Sequence, residues 1–304
     1  MIACFRTCRV RFAARAAVCL GLVALVAGCG SDEPLYLGKT FAQWKEQLQA
    51  DSPQARLAAV EAMTAMGTRA VPAVPELTKA LQDSDAGVRL AAVEVMFRLV
   101  QDGHATPATL AALFSDQDAG VRAAAAAAIG SIGDRQGQFR AGLVTLLDDT
   151  AAGARLAAAQ AIQTLDPQAQ QPLPVLIQLL SDPDETIRGE AARSLAPFGA
   201  EARDAAPRLV QLLEDPGPLV REGASLALAQ MGQEAGVGQA ALLKALTNPA
   251  TPSEALAEAR ALLASGANAK EAVPLLRKQI EKFGRVTGFP QAMEEIIAGF
   301  EATH

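Results

Sequence analysis

Apolar positions in this chain fall at helical spacing, and the spacing itself returns every 33 residues. Alanine stands at Ala59, Ala92, Ala125, Ala158, Ala191 and Ala224. Four residues after each comes a larger apolar side chain: Met63, Met96, Ile129, Ile162, Leu195 or Leu228. Glycine follows four residues later still, at Gly67, Gly133, Gly199 and Gly232. Apolar residues three to four apart mark the buried face of a helix, and glycine just beyond the last of them is a stop. The polar positions keep the same period. Arginine precedes each alanine by three residues, at Arg56, Arg89, Arg122, Arg155, Arg188 and Arg221. Six positions before the arginine stands aspartate, at Asp83, Asp116, Asp149, Asp182 and Asp215, with Ala50 in the first unit. A fixed period of this length predicts a stack of helical repeats, because no single unit buries its apolar face alone.

Each repeat reads as two helices, the arginine lying on the second. Asp182-Pro183-Asp184-Glu185 suggests how that helix starts, with Asp182 as N-cap and Pro183 in the first turn. Asp215-Pro216 and Asn248-Pro249 repeat the device. A shorter amphipathic stretch such as Val74–Leu81 supplies the other helix, and Pro75, Pro174 and Pro207 each sit 19 residues after an arginine, where a proline starts or bends it. Ahead of the repeats, Thr40 and Gln43 form a capping box for a helix over Thr40–Gln49, whose Trp44 covers the open end of the stack. Beyond residue 248 the pattern decays. Glu254 falls in the slot of a seventh arginine, Asn248 in that of its aspartate, and Thr287 in the eighth arginine slot. Helices near Ala269–Lys282 and Pro290–Phe300 read as a degenerate cap, with Glu254 as a hinge or second binding surface the alternative.

The first 28 residues are of another kind. Arg6, Arg9, Arg11 and Arg15 precede an apolar run from Ala16 to Gly28, the layout of a secretory signal. The run is shorter than the roughly 20 residues a membrane-spanning helix needs. The expected layout is therefore a signal peptide over 1–28, a tether over 29–38, a capping helix over 39–50, regular repeats over 51–247, and degenerate repeats with a cap over 248–304.

Composition narrows the chemistry. The net charge of −6 includes the leader's four arginines; the rest carries 23 basic against 33 acidic residues. Phosphate-backbone binding needs clustered Lys and Arg, so nucleic acid is not an expected partner. All four cysteines, Cys4, Cys8, Cys19 and Cys29, precede residue 30, which leaves the body without a disulfide or a thiol nucleophile. His104 and His304 are the only histidines, and His104 reads as a solvated loop residue beside Asp102-Gly103. Asp148-Asp149 and Asp182/Asp184/Glu185 lie at helix starts, where capping accounts for them without a metal. No cofactor, no metal and no catalytic constellation is expected.

Two resemblances follow from these residues. The block Asp-x5-Arg-x2-Ala-x3-(Ile/Leu/Met), clearest over Asp182–Leu195 and Asp215–Leu228, resembles the HEAT-repeat family, including its phycobilisome-lyase-like members. The resemblance implies an all-α, right-handed solenoid of about seven to eight helix pairs. It also implies an Arg/Asp ladder between neighbouring repeats and a concave side lined by the second helices. Positions two, five and nine after the arginine point to Glu61, Glu94, Arg98, Gln160, Glu190, Arg193 and Gln230 as a partner-binding stripe. The junction Leu25-Val26-Ala27-Gly28-Cys29 resembles a bacterial lipobox, which implies cleavage before Cys29 and acylation of it. Gly30 in place of aspartate points to the outer membrane, facing the periplasm. The expectation is a non-enzymatic envelope lipoprotein that binds another envelope protein or peptide as a scaffold. The alternatives are a HEAT-type lyase-like enzyme acting on a bilin or other ligand, and a passive spacer.

Overall fold

Alanine and branched apolar residues at helical spacing produce the helices the period demands. The computed structural model describes residues 34–133, 137–231 and 239–302. Cys29, Gly232 and His304 lie outside the described residues. The chain divides into two units at Leu143/Val144, and both are built of helices with no strand among the described residues. The regular run expected over 51–247 therefore spans two units.

In the first unit, α1 (Phe41–Gln47), α2 (Pro53–Met66), α3 (Val74–Ala80), α4 (Ala86–Gln101), α5 (Ala108–Ala111) and α6 (Ala119–Ile132) follow in order. The arginine-bearing helices stack, α2 on α4 and α4 on α6, and α3 packs on α4. Their seams bury Ala59, Val60 and Met63, then Ala92, Val93 and Met96, then Ala125, Ala126 and Ile129. Alanine is needed where helices approach closely, and the larger residue fills the space one turn on.

The boundary falls within α7 (Arg140–Leu146), and the second unit continues with α8 (Ala152–Leu165), α9 (Pro172–Leu179), α10 (Glu185–Leu195), α11 (Ala206–Leu212), α12 (Pro218–Met231), α13 (Gln239–Ala245), α14 (Pro252–Ala264), α15 (Ala269–Phe283) and α16 (Phe289–Ala302). α12 lies between α10 and α14. The first approach is tight: a Cβ on Gly223 would stand 2.7 Å from the Gly189 carbonyl oxygen and 3.2 Å from Ala192 Cβ. Gly223→Ala is expected to cost about 1–2 kcal/mol by forcing the two helices apart, measurable as a lower urea midpoint. α16 buries Phe289, Met293, Ile296, Ile297 and Phe300.

The helix boundaries follow local chemistry. Thr40 and Gln43 form the capping box, and Trp44, 6% exposed, donates from Nε1 to the Tyr36 carbonyl at 2.7 Å. Pro75 and Pro207 occupy the second position of α3 and α11, and Pro174 the third of α9. Gly67, Gly133 and Gly199 follow the second helices at φ of 59°, 89° and 52°, a region open to glycine at no steric cost.

The structure corrects two readings. Asp182 is not the N-cap of α10. That place belongs to Asp184, which accepts from Thr186 N–H at 2.8 Å, as Asp85 and Asp118 cap α4 and α6. Asp182 Oδ1 instead accepts from the Asp184 N–H, holding the cap residue extended. In α8 the cap position is Ala151, with no side-chain bond. Ala151→Ser is expected to stabilise α8 by about 1 kcal/mol, seen as slower amide exchange in its first turn.

The second correction concerns register. The arginine is the fourth residue of α2, α4, α6, α8, α10 and α12, whose first residues are 33 apart, but α14 begins 34 residues after α12. Ala255, not Glu254, therefore takes the seventh arginine slot. Glu254 falls where Val88, Val121, Ala154 and Val220 are buried, and Glu258 where every earlier repeat has its buried alanine.

Candidate functional site

The six arginines share one local bond. Nη1 of each donates to the carbonyls six and five residues earlier: Ala50 and Asp51 for Arg56, Asp83 and Ser84 for Arg89, Asp116 and Gln117 for Arg122. In the second unit the acceptors are Asp149 and Thr150 for Arg155, Asp182 and Pro183 for Arg188, and Asp215 and Pro216 for Arg221. The remaining donors reach the next repeat. Arg56 grips Asp83 at 2.6 and 2.7 Å, Arg89 grips Asp116 at 2.8 and 2.7 Å, and Arg188 grips Asp215 at 2.9 and 3.1 Å, each through Nε and Nη2. Planar fork meets planar carboxylate, and the pair fixes the stacking geometry.

Charges respond accordingly. The Arg56 hydrogen bond holds the Asp83 carboxyl below its ordinary value against the cost of burial. Burial pushes the Asp116 and Asp215 carboxyls up, yet the Arg89 and Arg188 bonds outweigh it and hold both low.

Two rungs depart from the pattern. Arg155 and Asp182 form no ion pair among the described residues, although each keeps its bonds within its own turn. Arg221 finds Glu254, whose Oε1 and Oε2 receive Nε and Nη2. Asn248 stands where the aspartate of this rung would be, and Glu254 supplies the carboxylate from inside α14. It also accepts from Ala250 N–H at 2.7 Å.

The seven stripe residues fall into two groups. Glu61, Glu94, Arg98 and Gln230 are exposed, and Arg98 donates to Glu94 at 2.8 Å along α4. Gln160, Glu190 and Arg193 are half-buried and bonded across helices. Gln160 Nε2 donates to Ser194 Oγ at 3.1 Å and Glu190 Oε2 at 3.5 Å, Gln163 Nε2 to the Ser194 carbonyl at 3.0 Å, and Arg193 Nη2 to Glu222 Oε1 at 3.2 Å. Ser253 Oγ donates to the same Glu222 oxygen at 3.1 Å. Burial pushes the Glu190 carboxyl up, with Arg193 opposing. Gln163, Ser194, Glu222 and Ser253 were not expected here. Their signal in the sequence is polar side chains spaced about 30 residues apart on successive second helices.

A further site holds a carboxyl without a partner. Glu258 is fully buried, and neither carboxylate oxygen has a hydrogen-bond partner. Burial, then the Glu254 charge, pushes its carboxyl up to about 8, while Arg221 and Lys282 pull it down. Lys282 is itself engaged, donating to the Pro249 carbonyl at 2.6 Å and Asn248 Oδ1 at 3.3 Å. Elsewhere, His104 is exposed. No group of three or more His, Cys, Asp and Glu residues gathers as a metal site among the described residues, and no described helix is long and apolar enough to cross a membrane.

Comparison with solved structures agrees on architecture. An engineered protein superposes with a TM-score of 0.56 at 20% identity, covering 86% of this chain and 78% of its own. The Escherichia coli protein YibA gives a TM-score of 0.59 at 18% identity, covering 86% of this chain and 92% of its own. Identities this low speak for fold alone. No curated protein matches the chain. The family model for HEAT repeats matches residues 41–105, 106–196 and 173–264. With the 33-residue period, the helix pairs and the rungs between them, this chain belongs to the HEAT-repeat family.

Proposed function

We propose that the protein is an exported lipoprotein, anchored through acylated Cys29, that acts by binding another envelope protein rather than by catalysis. Facing the periplasm from the outer membrane, it would work as a scaffold, consistent with the extended surfaces that stacked repeats present. The supporting observation is the contrast along the stripe. In the second unit, Gln160, Glu190 and Arg193 are tied to neighbouring helices. In the first unit Glu61 and Glu94, one repeat apart on stacked helices, remain exposed together with Arg98. The binding face is accordingly assigned to α2 and α4, with a partner that presents basic groups to the two carboxylates.

The test is affinity capture from crosslinked envelopes, comparing wild type with a Glu61→Lys, Glu94→Lys variant of unchanged helicity. A protein recovered by the wild type and lost by the variant supports the assignment; equal recovery overturns it. Export and anchoring are tested separately. Cys29→Ser is expected to release the protein from the membrane fraction, and mass spectrometry of the wild type to find acyl chains on residue 29.

A further inference from the structure

We propose that the turn at Leu35–Leu37 is a second point of membrane contact, resting on the bilayer that holds the lipid anchor. The inference rests on the Cys29 reading and adds what lies beside it. Among the described residues the exposed large hydrophobic side chains are Leu35, Leu37, Leu219 and Val286, at 55%, 67%, 58% and 43%. Two of these four stand two positions apart at the start of the described chain. Isolated exposed leucines are ordinary, but this pair is held outward.

Tyr36 and Lys39 exchange backbone hydrogen bonds at 2.7 and 3.1 Å, closing the turn. Trp44 Nε1 ties the Tyr36 carbonyl to α1, and the Lys39 ammonium lies 4.5 Å from the centre of the Trp44 ring. Leu37 sits at φ of 49°, the one non-glycine residue with positive φ among the described residues. A leucine in that region is strained, and strain persists where the surroundings impose it and function uses it.

The chain between supplies the address. Leu35 is six residues from Cys29, and an extended chain of that length reaches at most about 20 Å. With acyl chains in the bilayer, the turn stays within reach of the headgroups. Paired leucines favour the boundary between headgroups and acyl chains. Such contact would fix how the first repeat stands on the membrane.

The absence of cysteine after Cys29 permits a direct test. Lipidated full-length protein carrying Leu37→Cys is labelled with a polarity-sensitive dye and reconstituted into phosphatidylethanolamine/phosphatidylglycerol vesicles with brominated acyl chains. Glu46→Cys, on the exposed side of α1, carries the same dye as control. The expected result is loss of most of the fluorescence at position 37 and little at position 46. Equal, weak quenching at both positions in protein that floats with the vesicles overturns the contact and leaves the anchor standing. Failure to float, with no acyl mass on Cys29, overturns the anchor and the contact built on it.

Discussion

Glu258→Gln is expected to make the second unit more stable by roughly 3 kcal/mol at pH 7. The wild-type carboxyl titrates at about 8 in the fold, against an ordinary value of 4.5. Between these values the unfolded chain holds fewer protons than the folded one, so stability falls as pH rises. The contribution is intact below about pH 4.5 and gone above about pH 8. Each pH unit across that window is worth about 1.4 kcal/mol. Glutamine keeps the size and carries no titrating proton, so the two proteins should match near pH 4 and separate steadily toward pH 8. Amide exchange over α14 and α15, or urea unfolding at several pH values, reads the difference. Parallel pH profiles would show that Glu258 finds a partner for its charge.

Asp116→Ala is expected to cost the first unit roughly 2–3 kcal/mol. The carboxylate receives both Arg89 donors and the Asp118 N–H at 2.8 Å, and its removal leaves Arg89 Nε and Nη2 without their acceptors. The pair lies at the edge of solvent, with side chains 11% and 8% exposed, which keeps the effect below that of a deeply buried pair. Since the Asp116 carboxyl is held low in the fold, its contribution is complete above the ordinary value of 3.8 and fades as pH falls through the lower folded value. Acid therefore weakens the first unit where it relieves Glu258 in the second. A urea midpoint unchanged by the substitution at pH 7 would sink the claim.

Much of this was legible in the sequence, for a physical reason. Stacking repeats of equal size forces equal spacing, so Arg56, Arg89 and Arg122 could be found by counting, and the glycine stops with them. What counting misread is instructive. Asp182 and Asp184 are both good acceptors at a helix start, and nothing in residue type says which caps α10 and which holds the cap residue in place. The answer lies in where the helix begins: Asp184 accepts from the Thr186 N–H, and Asp182 from the Asp184 N–H. The slip at α14 was hidden because periodicity registers an added residue only where a motif survives to show it, and there the motif had changed. Glu254 read as a lost arginine; it is a gained carboxylate. The stripe positions were found as helix faces, but whether Arg193 meets water or Glu222 depends on the neighbouring helix.

The double grip seen at Arg56, Arg89 and Arg188 has a consequence for how the chain changes length. Arg122 holds the carbonyls of Asp116 and Gln117, while Arg56 holds the carboxylate of Asp83. Excise residues 84–116 and Asp83 is joined to Gln117. Arg122 then meets the Asp83 and Gln117 carbonyls, Asp83 Oδ1 meets the Asp118 N–H, and Arg56 keeps its carboxylate. Nothing is left dangling, because the bonds that define a repeat close on the same aspartate that links it to the one before. Duplication works by the same joinery in reverse, so recombination between Asp83 and Asp116 would add or remove a whole repeat with every bond remade, and a cut at any other spacing would leave an arginine with an empty hand.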